Sequence, residues 1–256
     1  MKFTVLGCSG GIGGAGSRTT SFLVDDDVLI DAGTGVGELP LARLARIDHV
    51  FITHAHLDHI ACLPLLVDSV GDLRPTPVTV YATDATLAVL RAHIFNWAVW
   101  PDFTRIPSPE SAFMRFCPVV VGEPVELPGG RSITPLPAYH TVPAVGYHLA
   151  GTGGSLVFSG DTTSHPPFWQ AVNSIPDLTH LIVETAFGDE EIALARASRH
   201  LCPSLLAEEL ARLNKQPQLW ITHLKPGQFE LIMEQVGRLA AAYSPRLLTH
   251  GQVLEF

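Results

Sequence analysis

The sequence predicts an α+β fold in which two mixed β-sheets pack against each other and helices cover their outer sides. Short apolar segments typical of strands come in runs, with helical segments between the runs, and this mixed order is typical of layered α+β proteins. Residues 51–54 and 220–223 are both apolar segments that end in Thr-His, which indicates two similar halves. No linker rich in Gly, Ser or charge divides the 256 residues, so we expect a single domain spanning 1–256.

The first half of the chain predicts five strands and two helices. Each strand is a short apolar run bounded by Gly, Asp or Pro, and the helices show apolar residues at helical spacing. Asp84 is the expected N-cap of the second helix. The segment 95–117, rich in proline and aromatic residues, is predicted to be irregular. The strands are expected at 3–6, 20–24, 28–30, 49–53 and 78–81, and the helices at 60–70 and 84–93.

The second half predicts a crowded series of strands followed by alternating helices and strands. The same criteria of apolar period and bounding turn residues apply. The strands are expected at 119–121, 124–127, 133–138, 146–150, 156–159, 181–184, 219–222 and 253–256, and the helices at 166–172, 191–197, 204–214 and 229–243.

Composition limits the classes of partner. Hydrophobic residues make up 46% of the chain and charged residues 16%, which favours a deep core and excludes disorder. The formal net charge is -9 and no basic cluster occurs, so nucleic acid is not an expected partner. A small anionic ligand remains compatible with this charge, because bound metal ions can supply positive charge locally.

The cysteines and the apolar runs indicate in which cellular compartment the protein is expected. Cys8, Cys62, Cys117 and Cys202 are far apart and form no Cys-x-x-Cys pair, which favours free thiols in a reducing compartment. No apolar run approaches the roughly 18 residues of a membrane span. The apolar stretch after Met1 is too short for the core of a signal peptide. We therefore expect a cytoplasmic protein that does not bind a membrane.

One loop carries most of the chemistry. Residues 53–59, Thr-His-Ala-His-Leu-Asp-His, place three histidines and a carboxylate directly after a predicted strand. His54 and His56 point the same way in an extended segment, and Asp58 and His59 follow on the turn into a helix. Neutral imidazole and carboxylate are the ligands that zinc prefers. Because the flanking residues are apolar, burying four ionisable groups here is costly unless a metal pairs with them.

This loop alone cannot complete two metal sites, since each ion needs about four ligands. Three further candidates, His140, Asp161 and His223, each follow a predicted strand. Asp161 is suited to bridge two ions, because a carboxylate offers two oxygens. The seven residues together therefore predict a two-metal centre.

The order of these residues resembles the metallo-β-lactamase superfamily. The resemblance covers nearly the whole chain and implies an αββα sandwich with two divalent ions at the common edge of its sheets. Zinc is the first expectation, and manganese and iron stay open because His and Asp serve all three metals. The implied ligands form two sets that share Asp161: His54, His56 and His140 for one ion, and Asp58, His59 and His223 for the other.

Other segments resemble the branch that contains ribonuclease Z and class II 3′,5′-cyclic-nucleotide phosphodiesterases. These segments include 140–143, 184–187 and 222–226, and the segments 93–96, 100–103 and 200–203 look closer to the phosphodiesterases. No long tRNA-binding arm follows Asp161. The resemblance thus implies hydrolysis of a small phosphodiester by a hydroxide that bridges two metal ions. The expected substrate is a 3′,5′-cyclic nucleotide (cAMP or cGMP), which is converted to the 5′-nucleotide.

Two residues are candidates for catalysis. Asp58 lies in the histidine-rich loop, and His200 resembles the histidine that contacts phosphate in the related hydrolases. A helix-capping or surface histidine is the alternative for His200, and His165 is a weaker candidate for the lining of the site. Asp31 and Glu184 either orient metal-bound histidines or bond only to local backbone.

Three other functions stay open on sequence alone. They are tRNA 3′-end processing, hydrolysis of an ester or thioester on the same two metals, and a non-catalytic metal-binding sensor. The complete ligand set argues against the sensor. A homodimer also stays open, with Phe95, Trp97, Trp100 and Phe103 expected in the core or at a subunit interface. The Gly-x-Gly-x-x-Gly match at 11–16 is not expected to bind a dinucleotide, because β-prone residues follow it where a helix is required.

Overall fold

Two seven-stranded sheets form the body of the protein. A computed structural model describes residues 1–14 and 16–256, so Ala15, within the glycine-rich match at 11–16, lies outside the described residues. Each sheet mixes parallel and antiparallel pairs, as the sequence predicts.

The first sheet is built from the first half of the chain and its last strand. Its order is β14-β1-β2-β3-β4-β5-β6. β14, β1, β2 and β3 pair antiparallel, and β3 to β6 pair parallel. The strands are β1 (Lys2–Gly7), β2 (Ser21–Val24), β3 (Val28–Ile30), β4 (His49–Phe51), β5 (Val78–Ala82), β6 (Met114–Pro118) and β14 (Val253–Glu255).

The second sheet repeats this plan, with order β13-β12-β11-β10-β9-β8-β7. Antiparallel pairs run from β7 to β10 and parallel pairs from β10 to β13. The strands are β7 (Val125–Leu127), β8 (Arg131–Pro137), β9 (Val145–Ala150), β10 (Ser155–Phe158), β11 (Leu178–Glu184), β12 (Gln218–Thr222) and β13 (Arg246–Leu247).

Helices cover the outer face of each sheet. Three helices, α2, α3 and α4, follow β4 and β5, and α5 to α8 connect the strands of the second sheet. No helix among the described residues is long and apolar enough to cross a membrane. The helices are α1 (Leu41–Leu44), α2 (Leu57–Ile60), α3 (Leu63–Val70), α4 (Asp84–His93), α5 (Pro166–Ser174), α6 (Ile192–Ser198), α7 (Pro203–Leu210) and α8 (Phe229–Leu239).

Strand residues alternate between two apolar layers, which explains why the strands are apolar throughout. In β3, Val28 and Ile30 join the cluster shared by both sheets, whereas Leu29 packs with the helices over the first sheet. In β10, Phe158 lies in the shared cluster and Val157 packs with the helices over the second sheet. This is the period of two that strands impose, and it confirms the sandwich of two sheets between helices.

Several predicted elements need correction. Residues 114–117, predicted irregular, belong to β6, whereas residues 119–121, predicted as a strand, form none. The main-chain N–H of Val119 donates to Ala82, the last residue of β5. Beyond that point β5 offers no partner, and Val120 and Val121 are exposed.

The helix boundaries also shift. The helix predicted at 60–70 begins three residues earlier, at Leu57, and is divided into α2 and α3. The N-cap of α4 is Thr83, whose hydroxyl accepts the Thr86 N–H, rather than Asp84. The helix predicted at 229–243 ends at Leu239, and a short 3-10 turn follows.

Candidate metal centre

The seven predicted ligands converge at one edge that the two sheets share. They form two groups of four, and within each group one ligand atom per residue lies within 4.8 Å of the others. Asp161 belongs to both groups. The first group is His54, His56, His140 and Asp161, and the second is Asp58, His59, Asp161 and His223.

The loop after β4 explains how one short segment serves both groups. Its start is fixed by Asp31, which accepts the main-chain N–H of Thr53 at 2.8 Å. His56 is the N-cap of α2, so Asp58 and His59 already lie on the first helical turn. The loop is therefore extended at His56 and helical at Asp58 and His59, and this change of conformation turns the last two toward the second group.

Strand ends of the second sheet supply the remaining ligands, and glycines make room for them. Gly160, two residues after the end of β10, has a φ of +61°, and a Cβ there would lie 2.5 Å from the Val145 carbonyl oxygen. Only glycine fits this turn without strain, and the turn places Asp161. His223 itself has a φ of +65°, and its N–H donates to the Cys8 carbonyl oxygen at 2.8 Å. The residue directly after β1, Cys8, thus lies beside the second group.

Four histidines of the centre pair their Nδ1 atom with a group outside it. His59 pairs with the Asp31 carboxylate at 2.7 Å and His140 with the Arg199 carbonyl oxygen at 3.0 Å. Both partners can only accept, so Nδ1 carries the ring proton and Nε2 points into the centre. The Nδ1 atoms of His54 and His223 lie 3.0 and 3.1 Å from the hydroxyls of Thr53 and Thr20.

The inward-facing atoms lack protein partners. The Nε2 atoms of His54, His59 and His223 and Oδ1 of Asp161 are buried without a hydrogen-bond partner. Unpaired buried polar atoms cost free energy, so a cluster of four such atoms indicates a site that binds a ligand. The other Asp161 oxygen, Oδ2, lies 3.3 Å from Nε2 of both His59 and His223. Imidazole and carboxylate atoms in this arrangement fit divalent cations.

The remaining ligands lie at the more open side. His56 faces His140, with 3.2 Å between His56 Nδ1 and His140 Nε2. Oδ2 of Asp58 lies 3.6 Å from Nε2 of His223 and 3.7 Å from Nε2 of His59. His56 and Asp58 are the half-buried members of the centre, so a substrate would approach from their side.

Burial sets the protonation of most of these rings. It lowers the pKa of His54, His56, His140 and His223, to about 4 for His140 and about 3 for His223. These rings are therefore neutral at pH 7, as ligands must be.

The pKa of His59 moves the other way. Burial lowers it, but the charges of Asp161 and Asp31 on either side together raise it above its usual range. The histidines in turn hold the pKa of Asp161 well below its ordinary value although burial raises it.

His200 lies at the edge of both groups. Its ring centre is 4.8 Å from that of His140 and 5.4 Å from that of His223. His200 Nδ1 pairs with Oε1 of the fully buried Glu184 at 2.9 Å. Burial lowers the pKa of His200, but the charge and hydrogen bond of Glu184 together with the charge of Asp161 outweigh burial and raise this pKa above its ordinary value. The second oxygen of Glu184, Oε2, has no hydrogen-bond partner.

The structure distinguishes the other candidate residues by whether they contact the histidines of the centre. Asp31 contacts the ligand His59 directly, and Glu184 contacts His200 and the main-chain N–H of Thr162. His165 stacks on Tyr139 and belongs to neither metal group.

The aromatic segment divides between core and surface. Phe95 and Phe103 are buried in the cluster over the first sheet, Trp100 packs partly against it, and Trp97 is 61% exposed.

Sequence reasoning missed Thr20, Thr53 and Arg199. The position of Thr53 directly before His54 was a usable signal. Thr20 and Arg199 lie far in sequence from the histidines they contact, so no local pattern marks them.

Comparisons with known proteins agree with the geometry. Residues 26–224 match the family model described as a beta-lactamase superfamily domain. A probable 3′,5′-cyclic-nucleotide phosphodiesterase of Yersinia pestis is 47% identical over 132 residues, which cover 41% of this chain and 36% of that protein. A nuclear ribonuclease Z of Triticum aestivum is 32% identical over 112 residues, covering 44% and 59%. The chain thus spans between about a third and three fifths of the length of these two relatives.

Solved structures support the fold. Unliganded yeast PDE1 is similar with a TM-score of 0.82 at 18% identity, covering 100% of this chain and 99% of that one. Human tRNase Z, short form, gives a TM-score of 0.67 at 18% identity, covering 100% and 99%. At these identities the likeness concerns the fold alone.

Proposed function

Because this chain belongs to the beta-lactamase superfamily, whose domain model matches residues 26–224, we propose that it is a two-metal phosphodiesterase that hydrolyses a 3′,5′-cyclic nucleotide to the 5′-nucleotide. The observation that carries the proposal is the cluster of inward-facing, unpartnered atoms around Asp161. A sensor that only binds metal would not need His200 and Glu184 beside the same groups.

The proposed metals are two divalent ions, with zinc favoured by the five imidazoles. When bound, such ions lower the pKa of a bound water toward neutrality and neutralise charge on phosphoryl oxygens. Asp161 would serve both ions, since its Oδ2 lies 3.7 Å from Nε2 of His54 in the first group and 3.3 Å from Nε2 of His59 in the second. Asp31 and the carbonyl of Arg199 would keep His59 and His140 in the tautomer that binds through Nε2.

His200 is the proposed proton donor for the leaving oxygen. With Nδ1 paired to Glu184, its Nε2 is the nitrogen left to serve the substrate. Glu184 also stabilises the protonated ring, since its charge raises the His200 pKa. A ribose 3′-oxygen is a poor leaving group, so a proton delivered at that oxygen assists the departure. Asp58, at the open side, is placed to bind a metal ion and to face the incoming substrate.

Charge and shape favour a small substrate over RNA. A cavity of about 460 Å³ opens beside His140 and is lined by Thr83, Val121, Tyr139, Val142 and Arg199, among others. Arg199 is its one cationic lining residue among those the structure describes. The volume lies within the range of about 300–1,000 Å³ typical of small-molecule sites, whereas RNA binding would call for a basic surface. In addition, α5 begins at Pro166, five residues after Asp161, which leaves no room there for a binding arm.

Ribonuclease Z activity is the second candidate, because the wheat relative carries that name. A panel assay separates the two. It compares cAMP, cGMP, bis(p-nitrophenyl) phosphate, a precursor tRNA and a thioester, each with the wild-type protein and with Asp161→Ala. We expect turnover of a cyclic nucleotide and of the aryl diester that Asp161→Ala abolishes. Efficient cleavage of the precursor tRNA at physiological salt, or turnover of the thioester alone, would overturn the proposal.

A further inference from the structure

Arg199 connects the metal centre to His200 in a way that the proposed ligands do not explain. It ends α6 with φ +54° and ψ +49°, the left-handed conformation. Glycine is the usual residue at such a helix end, and asparagine is sometimes found, because other side chains are strained there. The next residue, His200, donates its main-chain N–H to Ala195 at 2.9 Å. This turn therefore fixes the backbone position of His200 at the end of α6. An arginine occupies the turn although glycine would be less strained there.

The arginine forms two hydrogen bonds to one residue. Its main-chain carbonyl oxygen accepts from Nδ1 of His140 at 3.0 Å, and its Nη1 donates to the main-chain carbonyl oxygen of His140 at 2.6 Å. The first bond holds the ring of His140 and the second holds its backbone. His140 follows β8 in a loop without strand pairing, so these bonds restrain a ligand that the sheet does not.

The guanidinium is itself held in place. Its central carbon lies 4.4 Å from the centre of the Tyr139 ring, within the range of a cation–π contact. Tyr139 is in turn held by its main-chain N–H, which donates to the Thr162 hydroxyl at 3.0 Å next to Asp161. The side chain thus packs on the loop after β8, which Tyr139 joins to the loop after β10, and both loops supply proposed ligands to the first group.

We propose that Arg199 is a positioning residue that fixes the orientation of His140 and thereby the affinity of the first group for its metal ion. By accepting from Nδ1, the carbonyl leaves the lone pair of His140 on Nε2, which faces His56 Nδ1 at 3.2 Å. Among the described residues, no hydrogen bond or ion pair joins Arg199 to a member of the second group. The inference rests on the proposed two-metal centre, and it predicts an effect on one of the two ions only.

The test is metal titration of the apoprotein, without any substrate. Zn²⁺ is titrated against a chromophoric chelator, and two dissociation constants are fitted for the wild type, Arg199→Gly, Arg199→Asn and Arg199→Lys. Glycine and asparagine tolerate the left-handed turn, so the chain should keep its fold, which circular dichroism and thermal unfolding check. Arg196→Gln is the control, since Arg196 is exposed on the same helix and its side chain makes no hydrogen bond or ion pair within the described residues.

Outer partners of metal ligands typically contribute about 10–100-fold in metal affinity. We expect Arg199→Gly and Arg199→Asn to weaken one ion within that range and to leave the other and the control unchanged, with a smaller loss for Arg199→Lys. Two unchanged affinities in a folded Arg199→Gly, or equal weakening of both ions, would overturn the inference. A rise in KM with intact metal affinities would also overturn it, because it would make Arg199 a substrate contact. If the wild type itself binds no Zn²⁺, the proposed centre fails instead.

Discussion

Ring nitrogens decide the chemistry at the residue scale. A neutral imidazole has one N–H, so the partner of Nδ1 determines whether Nε2 can bind a metal. Asp31 makes this choice for His59 and the Arg199 carbonyl makes it for His140. At His54 and His223 the partners are hydroxyls, which can donate or accept. In their neutral form, the two rings next to pure acceptors therefore keep their proton on Nδ1, whereas the other two rings can adopt either tautomer.

His200 gives the sharpest prediction at this scale. In His200→Ala both metal ions and the fold should remain, because His200 belongs to neither metal group. General acids typically contribute about 10²–10⁴-fold, so kcat for a cyclic nucleotide should fall within that range. For bis(p-nitrophenyl) phosphate kcat should change little, since a nitrophenolate leaves without a proton. Steady-state kinetics on both substrates, with metal analysis of each preparation, measure this difference.

The matched control is His165→Ala, which removes a half-buried histidine outside both metal groups. It should leave both rates close to wild type. Equal losses on the two substrates in His200→Ala, appearing mainly in KM, would make His200 a residue that only binds phosphate. Small and equal losses of rate on both substrates would show that His200 takes no part in the reaction.

At the scale of elements, local sequence patterns predicted the helices and strands that depend on residues close in sequence. β3 has the predicted bounds and α4 ends at the predicted residue, because an apolar run between turn residues and a helical apolar period are both local signals. β6 could not be predicted in the same way. Its residues alternate irregularly between buried and exposed, and it exists because it pairs with β5, more than 30 residues earlier.

The same distinction applies to the site. The histidine-rich loop is one continuous pattern, and the strand-end positions of His140, Asp161 and His223 could be deduced from the strands before them. The contact between Thr20 and His223 spans 203 residues, so only the folded chain brings it about. The left-handed turn at Arg199 has no sequence signal either, since glycine is its usual marker.

Arg131 allows a prediction about how the sheets are joined at their other end. From the start of β8 it forms two hydrogen bonds of 2.7 Å to Asp27 and one of 2.9 Å to Asp25, in the turn between β2 and β3. The hydrogen bonds from Arg131 hold the pKa of Asp27 below its ordinary value of 3.8. A carboxyl whose pKa is lowered by folding stabilises the protein above its unfolded pKa and loses this effect as pH falls.

Arg131→Met should therefore lower Tm at pH 7. Partly exposed ion pairs contribute up to about 1 kcal/mol, which corresponds to about 2–4 °C for a chain of this size. The difference in Tm between the variant and the wild type should shrink as pH drops through and below the ordinary Asp pKa. Thermal unfolding at pH 7, 5 and 3 measures it, and a difference that grows toward acid would contradict the assignment.

At the scale of the whole molecule, the candidate metal centre would join the two sheets. His54, His56, Asp58 and His59 follow a strand of the first sheet, and the other three ligands follow strands of the second. Ions that bind only the folded state stabilise it by mass action, by about 2.7 kcal/mol when the free ligand is at 100 times its Kd. We also propose that residues 1–256 unfold as one domain, since the apolar cluster between the sheets contains residues of both.

Removing the metals should therefore lower Tm by several degrees while preserving a single cooperative transition. Differential scanning calorimetry before and after treatment with a chelator measures both quantities, and restoring Zn²⁺ should reverse the shift. Two separated transitions would contradict the single domain. An unchanged Tm after verified metal removal would contradict a centre that links the sheets.

The most direct test of the central claim is the number of metal ions per chain in the wild type and in Asp161→Ala. Asp161 is the one residue shared by both groups, and it is buried with an unpartnered oxygen. Elemental analysis of freshly purified protein should approach two ions per chain in the wild type. In Asp161→Ala the ratio should fall clearly below two, and hydrolysis of both the cyclic nucleotide and the aryl diester should be lost. Full metal content with full activity in Asp161→Ala would contradict the shared ligand and the two-metal mechanism built on it.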